Sequence, residues 1–168
     1  MNRYLRILLY SPILLGFALF ITVVYSQRPD EEQNRVSVRF KSLTPSLMVT
    51  DMAKTIDYYR DVLGFELMMS APEEAPFDWA MMKSGEVSIM FQTQKSLSEE
   101  LSVFKELAPG GSLTFYVDMI VATALYKRIK GKADLVKEPF DTFYGTREFI
   151  IRDCNGYLLV FAEDREEK

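Results

Sequence analysis

At 168 residues the chain is long enough for one domain with a packed core and an appendage. Its 24 acidic and 20 basic residues give a net charge of -4, which excludes the basic face that nucleic acid binding requires. One cysteine, Cys154, excludes an internal disulfide, and the lack of histidine removes both the usual acid–base group near neutral pH and the commonest metal ligand.

The N-terminus reads as a separate object. Arg3 and Arg6 precede Ile7 to Gln27, a run without charge made mostly of Leu, Ile, Val, Phe and Tyr. This predicts an N-terminal hydrophobic helix, with two readings open. Residues 1–26 are a signal peptide cleaved after Ser26, with Val24 and Ser26 at its -3 and -1 positions, or residues 7–25 stay as a membrane anchor. Both readings export the domain, to a periplasmic or extracellular location, because positive charge precedes the apolar run. Without Arg3 and Arg6 the remainder carries 18 basic and 24 acidic residues, a net -6. Residues 27–37, with Pro29 and several charges, form a polar linker. The folded domain occupies residues 38–168.

Inside it, a first unit opens with a strand at Leu47 and Val49. A helix follows over Met52 to Leu63, with apolar residues at Met52, Ile56, Tyr59 and Leu63, Asp51 as its cap and Gly64 as its stop. Strands are predicted at Phe65–Ser70, Trp79–Lys83 and Val87–Gln92, the last two joined by a tight Ser84-Gly85-Glu86 turn. The order then repeats. Leu113–Val117 is a strand, Ile120–Lys130 a helix, and Leu135–Lys137, Glu148–Arg152 and Tyr157–Ala162 are strands. Setting Leu47 on Phe115 aligns Thr55 with Thr123, Tyr58 with Tyr126, Arg60 with Arg128 and Leu67 with Leu135. The last two strands flank the polar turn Asp153-Cys154-Asn155-Gly156, a β-hairpin by composition. The fold class is α+β, with two βαβββ modules.

Two blocks, with Leu113 to Val117 opening the repeat as a third between them, carry a family resemblance. One is Leu47-x-Val49-x-Asp51-Met52 followed by Tyr58-Tyr59-x-x-Val62-Leu63-Gly64-Phe65. The other is Gly145-x-Arg147-Glu148-Phe149-x-x-Arg152-Asp153-x-x-Gly156-x-Leu158-Leu159-x-Phe161-x-Glu163. Together they resemble the vicinal-oxygen-chelate superfamily of glyoxalases, bleomycin-resistance proteins and extradiol dioxygenases, and the bleomycin-resistance-like branch in particular. The resemblance implies that each module curls into a half-barrel, with one face on its helix and the other lining a cup. It implies a homodimer, because family members commonly pair modules between chains. In metal-dependent members the cup holds a divalent ion on His, Glu or Gln. Carried over, those positions fall on Thr44, Ser112, Val160 and, by its distance from Gly85, Ile89. Hydroxyl and aliphatic side chains are poor ligands for Zn²⁺ or Fe²⁺.

Strand alternation predicts the cup lining. The ligand-binding candidates are Thr44, Ser46, Met48, Trp79, Phe91, Ser112, Thr114, Tyr116, Tyr144 and Val160, with Ile89 and Leu158 beside them and Phe77 near the rim. This apolar and aromatic set suits a small planar, aromatic or cationic ligand. Glu86, Glu148, Asp153 and Glu163 are the carboxylates available for a substitute metal site. Each also reads as an exposed strand end or turn acid, and Asp153 as the organiser of its turn. Cys154 reads as an inert thiol. The leading expectation is a metal-independent small-molecule-binding protein with no cofactor, no metal and no catalytic residue. The alternatives are a lyase or dioxygenase with an unusual carboxylate metal site, and a structural interaction module at the membrane.

Overall fold

The computed structural model describes residues 39–165. The predicted signal peptide or anchor and the linker over 27–37 lie outside the described residues. Among the described residues no helix is long and apolar enough to cross a membrane.

The first module starts at β1 (Ser46–Val49). Asp51 then opens α1 (Met52–Tyr58), its carboxylate accepting from the Lys54 amide at 2.9 Å, so an orphan donor of the first turn is satisfied. The helix continues as a wider π-helical turn, Tyr59–Leu63, and ends at Gly64 with φ 78°, a left-handed conformation that glycine adopts without strain. The predicted helix over Met52–Leu63 therefore forms, with a loosened last turn. β2 (Glu66–Ala71), β3 (Trp79–Ser84) and β4 (Val87–Thr93) complete a four-stranded sheet in the order β1-β4-β3-β2.

After β4 the chain forms a helix that the sequence reading missed, α2 (Gln94–Glu100), followed by a 3₁₀ turn at Ser102–Phe104. Its sequence QKSLSEE has one apolar residue, Leu97, so no helical stripe marks it. The second module is β5 (Thr114–Asp118), α3 (Ala122–Ile129), β6 (Asp134–Asp141), β7 (Thr146–Arg152) and β8 (Leu158–Asp164). Its sheet runs β5-β8-β7-β6. Leu47 pairs with Phe91, and Phe115 with Leu159, so the strands repeat at the offset read from sequence. The helices, which start at Met52 and Ala122, do not keep it, and the matches of Thr55 with Thr123, Tyr58 with Tyr126 and Arg60 with Arg128 fail. β6 is longer than the predicted Leu135–Lys137. Its charges and Pro139 mask the alternation, and an edge strand tolerates that proline.

Both sheets bury their helix-side faces in one core. Val49, Met82, Ile89 and Phe91 come from the first sheet, Phe149, Ile151, Leu159 and Phe161 from the second, with Tyr59, Leu125 and Ile129 from the helical segments. Ile89 and Phe91 were expected in the cup and lie here instead, paired with Met82 and Ala80. β4 alternates, with Val87, Ile89 and Phe91 on one face and Ser88, Met90 and Gln92 on the other, and the more apolar face is the one that packs into the core. Polar links tie the modules together. The Tyr59 hydroxyl donates to Asp153 Oδ2 at 2.9 Å, and the Tyr157 hydroxyl donates to the Met48 carbonyl at 2.9 Å.

Candidate functional site: two cup faces

The faces opposite the core are the two cup faces, and they differ. On the first sheet, one register row reads Ser46, Met90, Met81, Met69 and the next Met48, Gln92, Trp79, Ala71. α2 folds back on this face. Gln92 Nε2 donates to Ser96 Oγ and to Glu100 Oε2, each at 3.0 Å. Leu97 and Met48 are buried yet stand outside the common core, as expected for a helix seated on the cup side.

The second module has no such helix among the described residues. Its cup face carries the row Tyr116, Val160, Ile150, Lys137 and the row Asp118, Ala162, Glu148, Phe140. Glu148 was expected as an exposed strand-end acid. It is 4% exposed, because Phe149 turns into the core and Glu148, its neighbour, turns under a polar cover. Three hydroxyls donate to its Oε1: Tyr116 at 2.8 Å, Tyr144 at 2.8 Å and Thr146 at 2.9 Å. Burial pushes the Glu148 carboxyl up, but these three bonds and the charge of Lys137 outweigh it and hold the group below its ordinary range. The same bonds push the Tyr116 and Tyr144 phenols up. This is a preformed anion whose donors are all neutral. Tyr116 and Tyr144 are exposed, and the Phe143 ring beside Tyr144 is fully exposed.

The other acids are structural. Asp153 Oδ1 accepts from the Asn155 and Tyr157 amides, which organises the turn as expected, while Oδ2 serves Tyr59. Glu163 caps α3, accepting from the Thr123 amide at 3.0 Å and from its hydroxyl. Glu86 sits exposed in its turn. Among the described residues no three His, Cys, Asp or Glu side chains come together to hold a metal ion. Burial, reinforced by the charge of Asp153, pushes the Cys154 thiol up to about 11, which leaves little thiolate at neutral pH.

Of the predicted ligand-binding residues, Ser46, Met48 and Trp79 fall on the first cup face, and Thr114, Tyr116 and Val160 on the second. Tyr144 reaches the second through Glu148. Thr44 and Ser112 sit just before β1 and β5. Phe91 is in the core, and Phe77 packs against the core. The two faces belong to separate sheets with the core between them, so the set does not line one hollow within a single chain. The sequence reading missed Gln92 and Asp118 and misjudged Glu148. Period-two counting from Val160 and Ile150 carries to Glu148 and Ala162, which was the available signal.

A sequence model of the Glyoxalase/Bleomycin resistance protein/Dioxygenase superfamily matches residues 39–161. The chain belongs to this superfamily. Solved structures agree on the fold. A glyoxalase/bleomycin resistance protein/dioxygenase from Nocardioides is 17% identical with a TM-score of 0.63, over 91% of this chain and 95% of that one. TioX from Micromonospora sp. ML1 is 20% identical with a TM-score of 0.60, over 74% and 99%. A protein of unknown function from Agrobacterium tumefaciens str. C58 is 18% identical with a TM-score of 0.63, over 78% and 99%. No curated protein matches the sequence.

Strand register refines the metal positions that the superfamily resemblance implies. Val160 pairs with Tyr116 as Gln92 pairs with Met48, so Gln92 and not Ile89 is the counterpart of Val160. The set becomes Thr44, Gln92, Ser112 and Val160. Two hydroxyls, an aliphatic group and an amide already held by α2 do not fit a divalent transition ion.

Proposed function

We propose that this superfamily member is a metal-independent small-molecule-binding protein, exported and either released or tethered by its N-terminal segment. The observation that carries the reading is the donor set Thr44, Gln92, Ser112 and Val160 on an otherwise intact scaffold. A cup without metal ligands but with exposed aromatic rings is suited to holding a ligand rather than polarising one. The bleomycin-resistance-like branch is the nearest functional analogy, and the ligand class is aromatic or cationic. A homodimer would set a cup face of one copy against that of another and give each hollow its second wall.

Trp79 lies on the first cup face and reports on it. The expected result is a saturable change in Trp79 fluorescence on titrating the purified protein with planar aromatic or cationic compounds, without added metal. Stoichiometric metal in protein purified without chelators, together with metal-stimulated turnover, would replace this reading with the enzymatic one. Light scattering checks for the dimer. N-terminal sequencing of the membrane and soluble fractions separates a chain that begins at Gln27 from one that keeps its anchor.

A further inference from the structure

We propose that the second cup face is a subsite for an organic cation, with Glu148 as the charged anchor and the Tyr116 and Tyr144 rings as its walls. The inference rests on the small-molecule reading above and narrows it to one sheet and one ligand charge.

The argument starts from Glu148. An ionised carboxylate that is 4% exposed is costly unless it is hydrogen-bonded and its charge is answered. The hydrogen bonds are present, but all three donors are neutral hydroxyls and all three fall on Oε1. Among the described residues no cation lies within ion-pair distance of Glu148. Lys137, whose charge acts on Glu148, stands in the adjacent register row with its ammonium over the Phe140 ring. Arg152 on the same face is taken by Asp134 at 3.2 Å. A second carboxylate, Asp118, faces the same row, separated from Glu148 only by Ala162. With adjacent strands about 4.8 Å apart, the two backbones stand about 10 Å apart, a span that suits a small ligand between their side chains.

The surroundings point to the same charge. Tyr116 and Tyr144 are about half exposed, at 48% and 57%, and Phe143 is fully exposed. Electron-rich faces beside an anion select a cation, through cation–π attraction and a charge-assisted hydrogen bond to the oxygen the hydroxyls leave open. The first cup face has no equivalent. Its row Met48, Gln92 and Trp79, the counterpart of Tyr116, Val160 and Ile150, carries no carboxylate, and α2 is hydrogen-bonded to it through Gln92. A neutral donor gains at most a hydrogen bond from Glu148 and none of the charge attraction, and an anionic ligand is repelled by it.

Calorimetric titration of the full-length chain with 2-phenylethylammonium and with 2-phenylethanol, which differ mainly in charge, tests the subsite. The ammonium compound is expected to bind at least about tenfold more tightly, and E148Q to remove that preference while leaving the alcohol unaffected. D118N, an exposed change that does not disturb the hydroxyl cluster, is expected to weaken the ammonium compound about two- to fivefold, so the test stands even if E148Q does not fold. Equal affinity for the two compounds, or a preference that survives in both variants, overturns the subsite and leaves the small-molecule reading intact. If neither compound binds, the subsite falls, and the small-molecule reading stands or falls on the Trp79 titration.

Discussion

The two cup faces share a topology and a register but not a chemistry. The first is a methionine-rich surface with Trp79, closed by α2 through Gln92. The second is open, with Glu148 under three hydroxyls and exposed rings at its rim. The core faces behind them are alike in being apolar: buried residues on β3, β4, β7 and β8 meet two helices. Packing imposes one requirement, apolar burial, on both inner faces and none on the outer ones. Function in this chain is therefore to be sought where the modules differ.

The sharpest test of that comparison compares the core with the cups. Phe91→Ala and Phe149→Ala, one from each module, should each cost about 3–5 kcal/mol in urea denaturation. Tyr116→Phe on the open cup should cost less than about 1.5 kcal/mol, because Glu148 keeps two other donors. A Tyr116→Phe loss as large as the core losses would break the distinction. Next, Asp153→Ala should cost about 3 kcal/mol, since it strands the buried Tyr59 hydroxyl and two turn amides together. If the loss stays under about 1 kcal/mol, the hydrogen bond between modules does not hold the core faces together.

Smaller effects separate the cups themselves. Gln92→Ala should release α2 at a cost of about 1 kcal/mol, seen most clearly as faster amide hydrogen exchange across residues 94–100 and unchanged exchange in β7. Equal changes in both sheets would mean that α2 is not confined to the first cup. The mildest concerns pH. The folded Glu148 carboxyl titrates below its unfolded value, so its contribution is full above the unfolded carboxylate range and is lost as pH falls through the folded value. The stability gap between wild type and Glu148→Gln should therefore narrow between about pH 6 and pH 3, as followed by denaturation at each pH. A gap that widens on acidification would show that the carboxyl is held protonated.

Much of this was legible beforehand, for identifiable reasons. The Asp51 cap, the Gly64 stop and the Tyr58-to-Phe65 block each encode local geometry, and all fold as expected. The repeat of strands was legible because register preserves spacing. α2 was not, because its stability comes from seating on a cup rather than from an apolar stripe. Ile89 and Phe91 were misplaced because the apolar face of β4, Val87, Ile89 and Phe91, was assigned to the cup, whereas it packs into the core and leaves Ser88, Met90 and Gln92 on the cup side. Glu148 was misjudged because a carboxylate in sequence carries no sign of the hydroxyls that will cover it. Two of those donors, Tyr144 and Thr146, are its near neighbours, but Tyr116 arrives from another strand.

The hydrogen bond from Tyr59 to Asp153 has a consequence for how the halves relate by descent. By helix start and burial the position matching Tyr59 in the second helix is Ile129, a buried aliphatic residue, and the first module's hairpin turns tightly through Gly85 and Glu86 with no buried acid. The phenol belongs to one half and its acceptor to the other, with no reciprocal pair. Whatever duplication produced the two modules, they are no longer interchangeable. Two copies of the first would bury a phenol with nothing to accept its proton, and two copies of the second would bury a carboxylate with no phenol to satisfy it.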